Sequence, residues 1–192
     1  MNTKLLSVAR FYFAQSVFNS TCHYKSMERL NMIDKEYSFN KNILSGINVL
    51  IVILIIICYE LHFDLGLKIL GILGLLLTGI SLIFDLFLKE RFLDEIYKHK
   101  WSAEMYKSLR NEFMELIEEI MSNSIDENVL RSRRKLLISR YSEIGKTALS
   151  TTSGDYSDAQ ESLGLKLNNN EEFSWSEADI NRFLPKHLKL DE

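Results

Sequence analysis

The sequence predicts an all-α membrane protein, a two-helix transmembrane hairpin with long cytosolic helices before and after it. Three observations carry that prediction. Two long aliphatic runs stand close together, and helical periodicity continues on both sides of them. The breakers that punctuate β-structure are scarce: Pro185 is the one proline in 192 residues, and residues 1–45 contain no glycine.

The first run, Ile43 to Tyr59, has 17 residues without a charge, and the second, Leu65 to Phe84, holds a single charge at Lys68. A bilayer core of about 30 Å takes roughly 20 helical residues at about 1.5 Å each, so both runs cross it once flanking apolar residues sit in the interface. The break from Glu60 to Asp64 is too short for a domain. The spans are therefore antiparallel neighbours with both termini on one side. Lys25, Arg29, Lys35 and Lys41 precede the hairpin, Lys89, Arg91, Lys98, Lys100 and Lys107 follow it, and the connecting turn has neither Lys nor Arg. Positive flanks stay cytoplasmic, which puts both tails in the cytosol. Lys68, just inside the second span, is expected to snorkel to the far interface.

Four regions follow from this frame: an N-terminal cytosolic amphipathic helix (1–42), the transmembrane hairpin (43–88, with spans 43–59 and 65–84), a long cytosolic helical region (85–149), and a loop with a C-terminal short helix and tail (150–192). The residues outside the hairpin suffice for one helical core, not two. Mean hydropathy is −0.05 despite the hairpin, so those residues are strongly polar. A net charge of −3 argues against wholesale coating of nucleic acid. The first apolar run starts only after 42 charge-rich residues, which is not the layout of a cleavable signal peptide.

In the N-terminal region Leu6, Ala9, Phe13, Val17, Tyr24, Met27 and Leu30 mark one helical face, with Arg10, Gln15, Lys25 and Glu28 mostly off it. This reads as a packing face for other cytosolic helices, because its basic charge is modest for a helix lying on a membrane. In the first span Asn48 is expected to hydrogen-bond to a neighbouring helix. In the second, Lys68, Gly71, Gly74, Thr78, Ser81 and Asp85 recur at intervals of 3, 3, 4, 3 and 4, on one face. Two readings stay open for that stripe. It packs helices closely, since backbones must approach where lipid offers no hydrophobic drive, or it lines a water-exposed path in an oligomer, since charges rarely face lipid.

Beyond Asp85 the helical pattern continues to Met121, a reach of about 55 Å. Its apolar residues Leu93, Tyr97, Trp101, Met105, Leu109 and Phe113 stand four apart. A period of four drifts around a helix by about 40° per step, so the stripe must meet more than one neighbour, and it is expected to be an oligomer face. Ser122 to Glu127 reads as a turn with a new N-cap. The next helix carries Val129, Leu130, Leu136, Leu137, Ile138, Tyr141 and Ile144 as its apolar set. Its basic patch, Arg131, Arg133, Arg134, Lys135 and Arg140, is expected to pair with the acidic stretch Glu112–Glu119. An anionic lipid or a nucleic acid is the alternative partner. Ser150–Asp155 and Asn168–Glu172 read as loops. Ser176 with Asp179 reads as the capped start of a short helix that ends before Pro185. Phe183, Leu184, Leu188 and Leu190 suggest a docked tail.

Catalytic, cofactor and metal signals are missing from the pattern. His23, His62, His99 and His187 are scattered, and Cys22 and Cys58 share no ligand or disulfide spacing. Gly145-Lys146-Thr147 is not a phosphate-binding loop, because Arg140 occupies the place of that motif's first glycine and no strand precedes it. An enzyme is not expected, and the lipid bilayer and further copies of the chain are the expected partners.

One cytosolic helix, a tight hairpin and a long continuing helix, with Ala9-Arg10 and Ala14 before the spans and Ala103, Tyr106 and Leu109 after them, resemble the SLATT family of two-transmembrane effectors associated with SMODS nucleotidyltransferases and SLOG proteins. The tail SEADINRFLPKHLKL is similar to that of a subgroup often encoded beside reverse transcriptases. The resemblance implies a multi-pass effector of bacterial antiphage defence in the inner membrane. Such a protein stays idle until a sensor, such as a nucleotidyltransferase or reverse transcriptase, detects infection, and then oligomerises to form a pore or disrupt the membrane. A non-conducting, membrane-anchored adaptor that recruits a cytosolic partner is the alternative.

Overall fold

A computed structural model of the chain describes residues 3–84, 90–165 and 175–190. Among these residues lie α1 (Thr3–Glu60), α2 (Asp64–Phe84), α3 (Glu90–Ser122), α4 (Glu127–Thr147), α5 (Ser153–Ser162) and α6 (Glu177–Phe183), followed by a 3-10 turn at Lys186–Leu188. No strand occurs among the described residues. The chain forms two units: residues 29–96, and residues 1–28 together with 97–192.

The N-terminal amphipathic region and the first span are one helix of 58 residues. Neither proline nor glycine interrupts residues 1–45, so the backbone pays no local penalty for continuing while the face pattern changes. The helix ends in a Schellman motif: the Phe63 N–H donates to the Cys58 carbonyl at 2.9 Å and the His62 N–H to the Tyr59 carbonyl at 3.1 Å. His62 takes the left-handed conformation that this cap needs, with φ of 51°. The break is thus three residues, Leu61 to Phe63, because Asp64 already opens α2.

In the unit of residues 29–96, α1 and α2 pack as an antiparallel pair. The α1 seam is Leu44, Asn48, Ile51, Ile55 and Cys58, and the α2 seam is Leu67, Leu70, Gly74, Leu77 and Ser81. Both repeat at alternating threes and fours, the 3.5-residue period of left-handed helix pairs. Gly66 closes the end near the turn. A Cβ there would lie 2.3 Å from Phe63 Cδ1 and 3.0 Å from Cys58 Sγ, so a larger residue fits only if the Phe63 ring moves aside. Val49, Leu50, Val52, Ile53, Ile56 and Ile57 of α1 are exposed, as are Ile69, Ile72, Leu75, Leu76, Leu82 and Ile83 of α2. Contiguous aliphatic surface of this extent matches a bilayer rather than water.

The other unit has an ordinary helical core. Leu5, Leu6, Ala9, Phe13 and Val17 of α1 meet Tyr106, Leu109, Phe113, Leu116, Ile117 and Ile120 of α3. Leu130, Leu137 and Ile144 of α4, together with Ile180, Leu184 and Leu188 of the tail, complete it. The expected packing face of the N-terminal region is therefore filled by the chain itself, and the tail is docked. Ala9, Ala14 and Ala103 are fully buried, and Ser20 Oγ donates to the Ala103 carbonyl at 3.0 Å, which marks a close α1–α3 approach. A smaller cluster, Phe18, Cys22, Ala159 and Leu165, lies under α5. The stretch 150–155, expected to be a loop, holds the start of α5. Thr152 and Asp155 form a capping box there, each side chain bonded to the other residue's backbone N–H. The N-cap of α4 is Asp126, and α6 starts with the Ser176–Asp179 capping box.

Candidate functional site

The stripe on α2 splits when it is placed in the hairpin. Gly74 turns into the seam, where a Cβ would lie 3.4 Å from Ile51 Cγ2. Ser81 is half-buried beside a hollow that Tyr37, Asn40, Lys41, Leu44 and Ile80 also line. Gly71 flanks the seam and is half-buried, with nothing within 4 Å of a Cβ. Thr78 is exposed, its hydroxyl donating to the Gly74 carbonyl at 2.8 Å. Lys68 is exposed as well, and Asp85 lies outside the described residues. Asn48 Oδ1 is buried on the α1 seam without a hydrogen-bond partner among the described residues, so the interhelical bond expected of it is not made there. Gly46 and Gly79, like Gly71, meet nothing within 4 Å. Three hairpin glycines are thus left unused by the packing of α1 on α2.

The apolar face of α3 also divides. Leu93, Tyr97 and Trp101 are exposed at 38%, 66% and 51%, and Met105 is half-buried. Leu109 and Phe113 are fully buried in the chain's own core, which corrects their assignment to an oligomer face. The drift of a four-residue period carries the stripe from solvent into contact with α1 and α4.

The basic patch on α4 is largely spent on acidic neighbours. Arg133 reaches Glu115 at 2.8 Å and pairs also with Glu119, Arg140 pairs with Glu112, and Arg131 with Glu127 one turn earlier. The pairing with the stretch Glu112–Glu119 is the solvated, intramolecular one. Lys135 is exposed on the same helix, and Arg134 is half-buried.

Sequence reasoning missed a line of buried polar groups in the unit of residues 1–28 and 97–192. Arg10 is wholly buried rather than off the packing face. Its Nη2 donates to Glu177 Oε2 at 2.8 Å and to Asn181 Oδ1 at 2.6 Å, and its Nη1 to the Leu188 carbonyl at 3.0 Å, which pins the C-terminal tail to α1. Ser26 Oγ donates to Asp155 Oδ2 at 2.8 Å, tying α5 to the same helix. His23 and His99, far apart in sequence, meet with Nδ1 atoms 2.9 Å apart. Burial, followed by the charge of Asp155, pushes the Cys22 thiol up to about 12, so it stays protonated and unreactive. No group of three or more His, Cys, Asp and Glu is placed to hold a metal ion among the described residues.

No curated protein and no solved structure matches the chain. A model of one protein family, the SMODS and SLOG-associating 2TM effector domain family 4, matches residues 5–179. That range runs from the first core residue of α1, through both apolar spans, to the capping box of α6. The hairpin of aliphatic helices and the helical unit built on α1 and α3 are thus those of a membrane effector, and the chain belongs to the SMODS and SLOG-associating 2TM effector domain family.

Proposed function

We propose that the chain is an antiphage effector of the bacterial inner membrane, with both termini in the cytosol, which oligomerises and opens or disrupts that membrane when a partner signals infection. The observation that supports this most directly is the unused small-residue surface of the hairpin. A Cβ on Gly46 of α1, or on Gly71 or Gly79 of α2, would meet nothing within 4 Å, and Thr78, next to Gly79, is exposed. In lipid, small residues earn a place where another helix comes close, and a hydroxyl is better placed against protein or water than against acyl chains. The exposed Tyr97 and Trp101 on α3 supply a second surface for neighbouring copies. The partner proposed is a sensor of the nucleotidyltransferase or reverse-transcriptase class.

Dye release from liposomes carrying the purified chain, with and without the proteins encoded beside it, tests this reading. Release that needs the neighbours and is lost in Gly71→Leu is expected. An intact bilayer under every combination overturns it.

One observation favours the alternative, an adaptor that conducts nothing. Val129 and Leu136 of α4 are 57% and 60% exposed and line a shallow apolar hollow with Asn128, Ser132 and Arg133. For an adaptor, Leu136→Glu abolishes co-purification with the partner, while liposomes stay sealed throughout.

A further inference from the structure

A hollow of about 340 Å³ opens between α1, α3 and the docked tail, within the unit of residues 1–28 and 97–192. Phe13 and Val17 of α1, Met114 of α3 and residues 183–185 of the tail give it apolar walls. Arg110 and Asn111 of α3 are its two polar residues, and no carboxylate lines it among the described residues. Small-ligand sites span about 300–1,000 Å³ and share this composition, mostly apolar with a few polar groups that fix orientation.

The polar groups at the rim are all of one kind. Arg110 is half-buried, and its Nε and Nη2 donate to Asn111 Oδ1 at 3.1 and 2.9 Å. That partner is neutral, so the guanidinium keeps its full charge. No ion pair joins Arg110 to a carboxylate among the described residues, whereas Lys107, one turn earlier on α3, is paired with Glu104 at 3.5 Å. With Asn111 Oδ1 taken, the groups left at the rim are Arg110 Nη1 and Asn111 Nδ2, both donors. A positive, donating rim over apolar walls calls for an anionic acceptor on an apolar body, and a guanidinium suits a carboxylate best. An inorganic anion would leave the apolar walls unused. A peptide would bring amide groups that those walls leave without partners. A diacyl lipid would have to leave its second chain outside.

We propose that this hollow binds a free medium-chain fatty acid, with its carboxylate on Arg110 Nη1 and Asn111 Nδ2 and its chain between Phe13, Met114 and the tail. Residues 183–185 form one wall, so the occupied site holds the tail to α1 and α3 more firmly than the empty one. Hydrolysis of acyl esters is the class of reaction that releases such a ligand. The site stands whether or not the assembly conducts.

Photolabelling of the full chain in lipid nanodiscs tests this. The reagent is dodecanoate with a diazirine near the end of its chain, and labelled peptides are mapped by mass spectrometry. The two apolar spans meet the reagent from the bilayer and serve as the internal measure of how much has partitioned. Labelling of residues 13–17, 114 and 183–185 is expected, and unmodified dodecanoate should compete it away. Arg110→Gln is expected to lower that labelling about tenfold or more relative to the spans, and Arg110→Lys to lower it less. The matching dodecanol reagent and a diacyl phospholipid reagent are expected to label the spans and not the hollow. Three results overturn the proposal: no competable labelling of the hollow, equal labelling in wild type and Arg110→Gln, or equal labelling by the dodecanol or phospholipid reagent. If Arg110→Gln does not fold, the comparison of dodecanoate with dodecanol on wild type decides alone.

Discussion

A Cβ on Gly74 would stand 3.4 Å from Ile51 Cγ2, so the two spans meet there as bare backbone against a buried side chain. Gly71, one turn closer to the connecting bend on α2, has nothing within 4 Å. The two glycines therefore do different work although the sequence gives them one stripe. Gly74→Leu must separate α1 from α2, and overpacking of this kind costs about 1–3 kcal/mol. Gly71→Leu is expected to leave the hairpin as stable as wild type while removing a surface for neighbouring copies. Thermal unfolding in detergent, run beside a mass measurement of the oligomer, separates the effects. Equal destabilisation by both substitutions would contradict the assignment.

Arg10 anchors the tail through three acceptors, and its guanidinium side chain is 1% exposed while that of Glu177 is 56% exposed. Arg10→Met strands the Leu188 carbonyl and Asn181 and lets Glu177 return to water. The expected loss is about 2–4 kcal/mol, below that of a fully buried ion pair because one partner is re-solvated. Glu177→Gln keeps a hydrogen-bond acceptor and is expected to cost about 1 kcal/mol or less. Limited proteolysis reads the difference: Arg10→Met should open residues 175–190 to cleavage under conditions where Glu177→Gln resists. Identical protection in the two variants would show that the tail is held by Leu184 and Leu188 alone.

The hairpin was legible because its signal is local: two aliphatic runs, a short break and flanking Lys and Arg need no knowledge of tertiary contacts. The cap of α6 was legible for the same reason. Arg10, His23 and His99 were not, because a lone charge or imidazole on a helix looks alike whether it faces water or a partner 76 or more residues away. The start of α5 was hidden in a Ser- and Gly-rich stretch whose composition suggests a loop, although Thr152 and Asp155 have the spacing of a capping box. The drift of the α3 stripe was real, but its neighbours at Leu109 and Phe113 are α1 and α4 of the same chain. Periodicity reports that a face is covered, not by whom.

Because Arg133 and Arg140 are engaged by Glu115, Glu119 and Glu112, the basic patch offers little free charge to lipid or nucleic acid. Both arginines keep about a third of their side chains exposed, so each pair is expected to contribute about 1 kcal/mol or less. Arg140→Ala should therefore lower the denaturation midpoint only slightly. It should also leave co-sedimentation with anionic vesicles and gel shift with nucleic acid unchanged. A loss of vesicle binding in this variant, with stability preserved, would restore the patch as a contact surface.

Trp101 and Leu109 stand two turns apart on α3, yet one is 51% exposed and the other fully buried. Leu109 contributes to the core, where an unpaired carboxylate has no partner and the lost apolar contacts are not replaced. Leu109→Glu should therefore prevent folding of the unit built on α1 and α3, seen as loss of cooperative unfolding and rapid proteolysis. Trp101→Glu places its charge in solvent. It should keep the wild-type unfolding midpoint within about 0.5 kcal/mol, while lowering the number of subunits per detergent micelle if this face meets a neighbouring copy. A Trp101→Glu protein with wild-type mass would remove α3 from the proposed assembly surface and leave the unused glycines of the hairpin as its remaining support. A Leu109→Glu protein that folds normally would mean that α3 packs on α1 and α4 less tightly than the full burial of Leu109 and Phe113 requires.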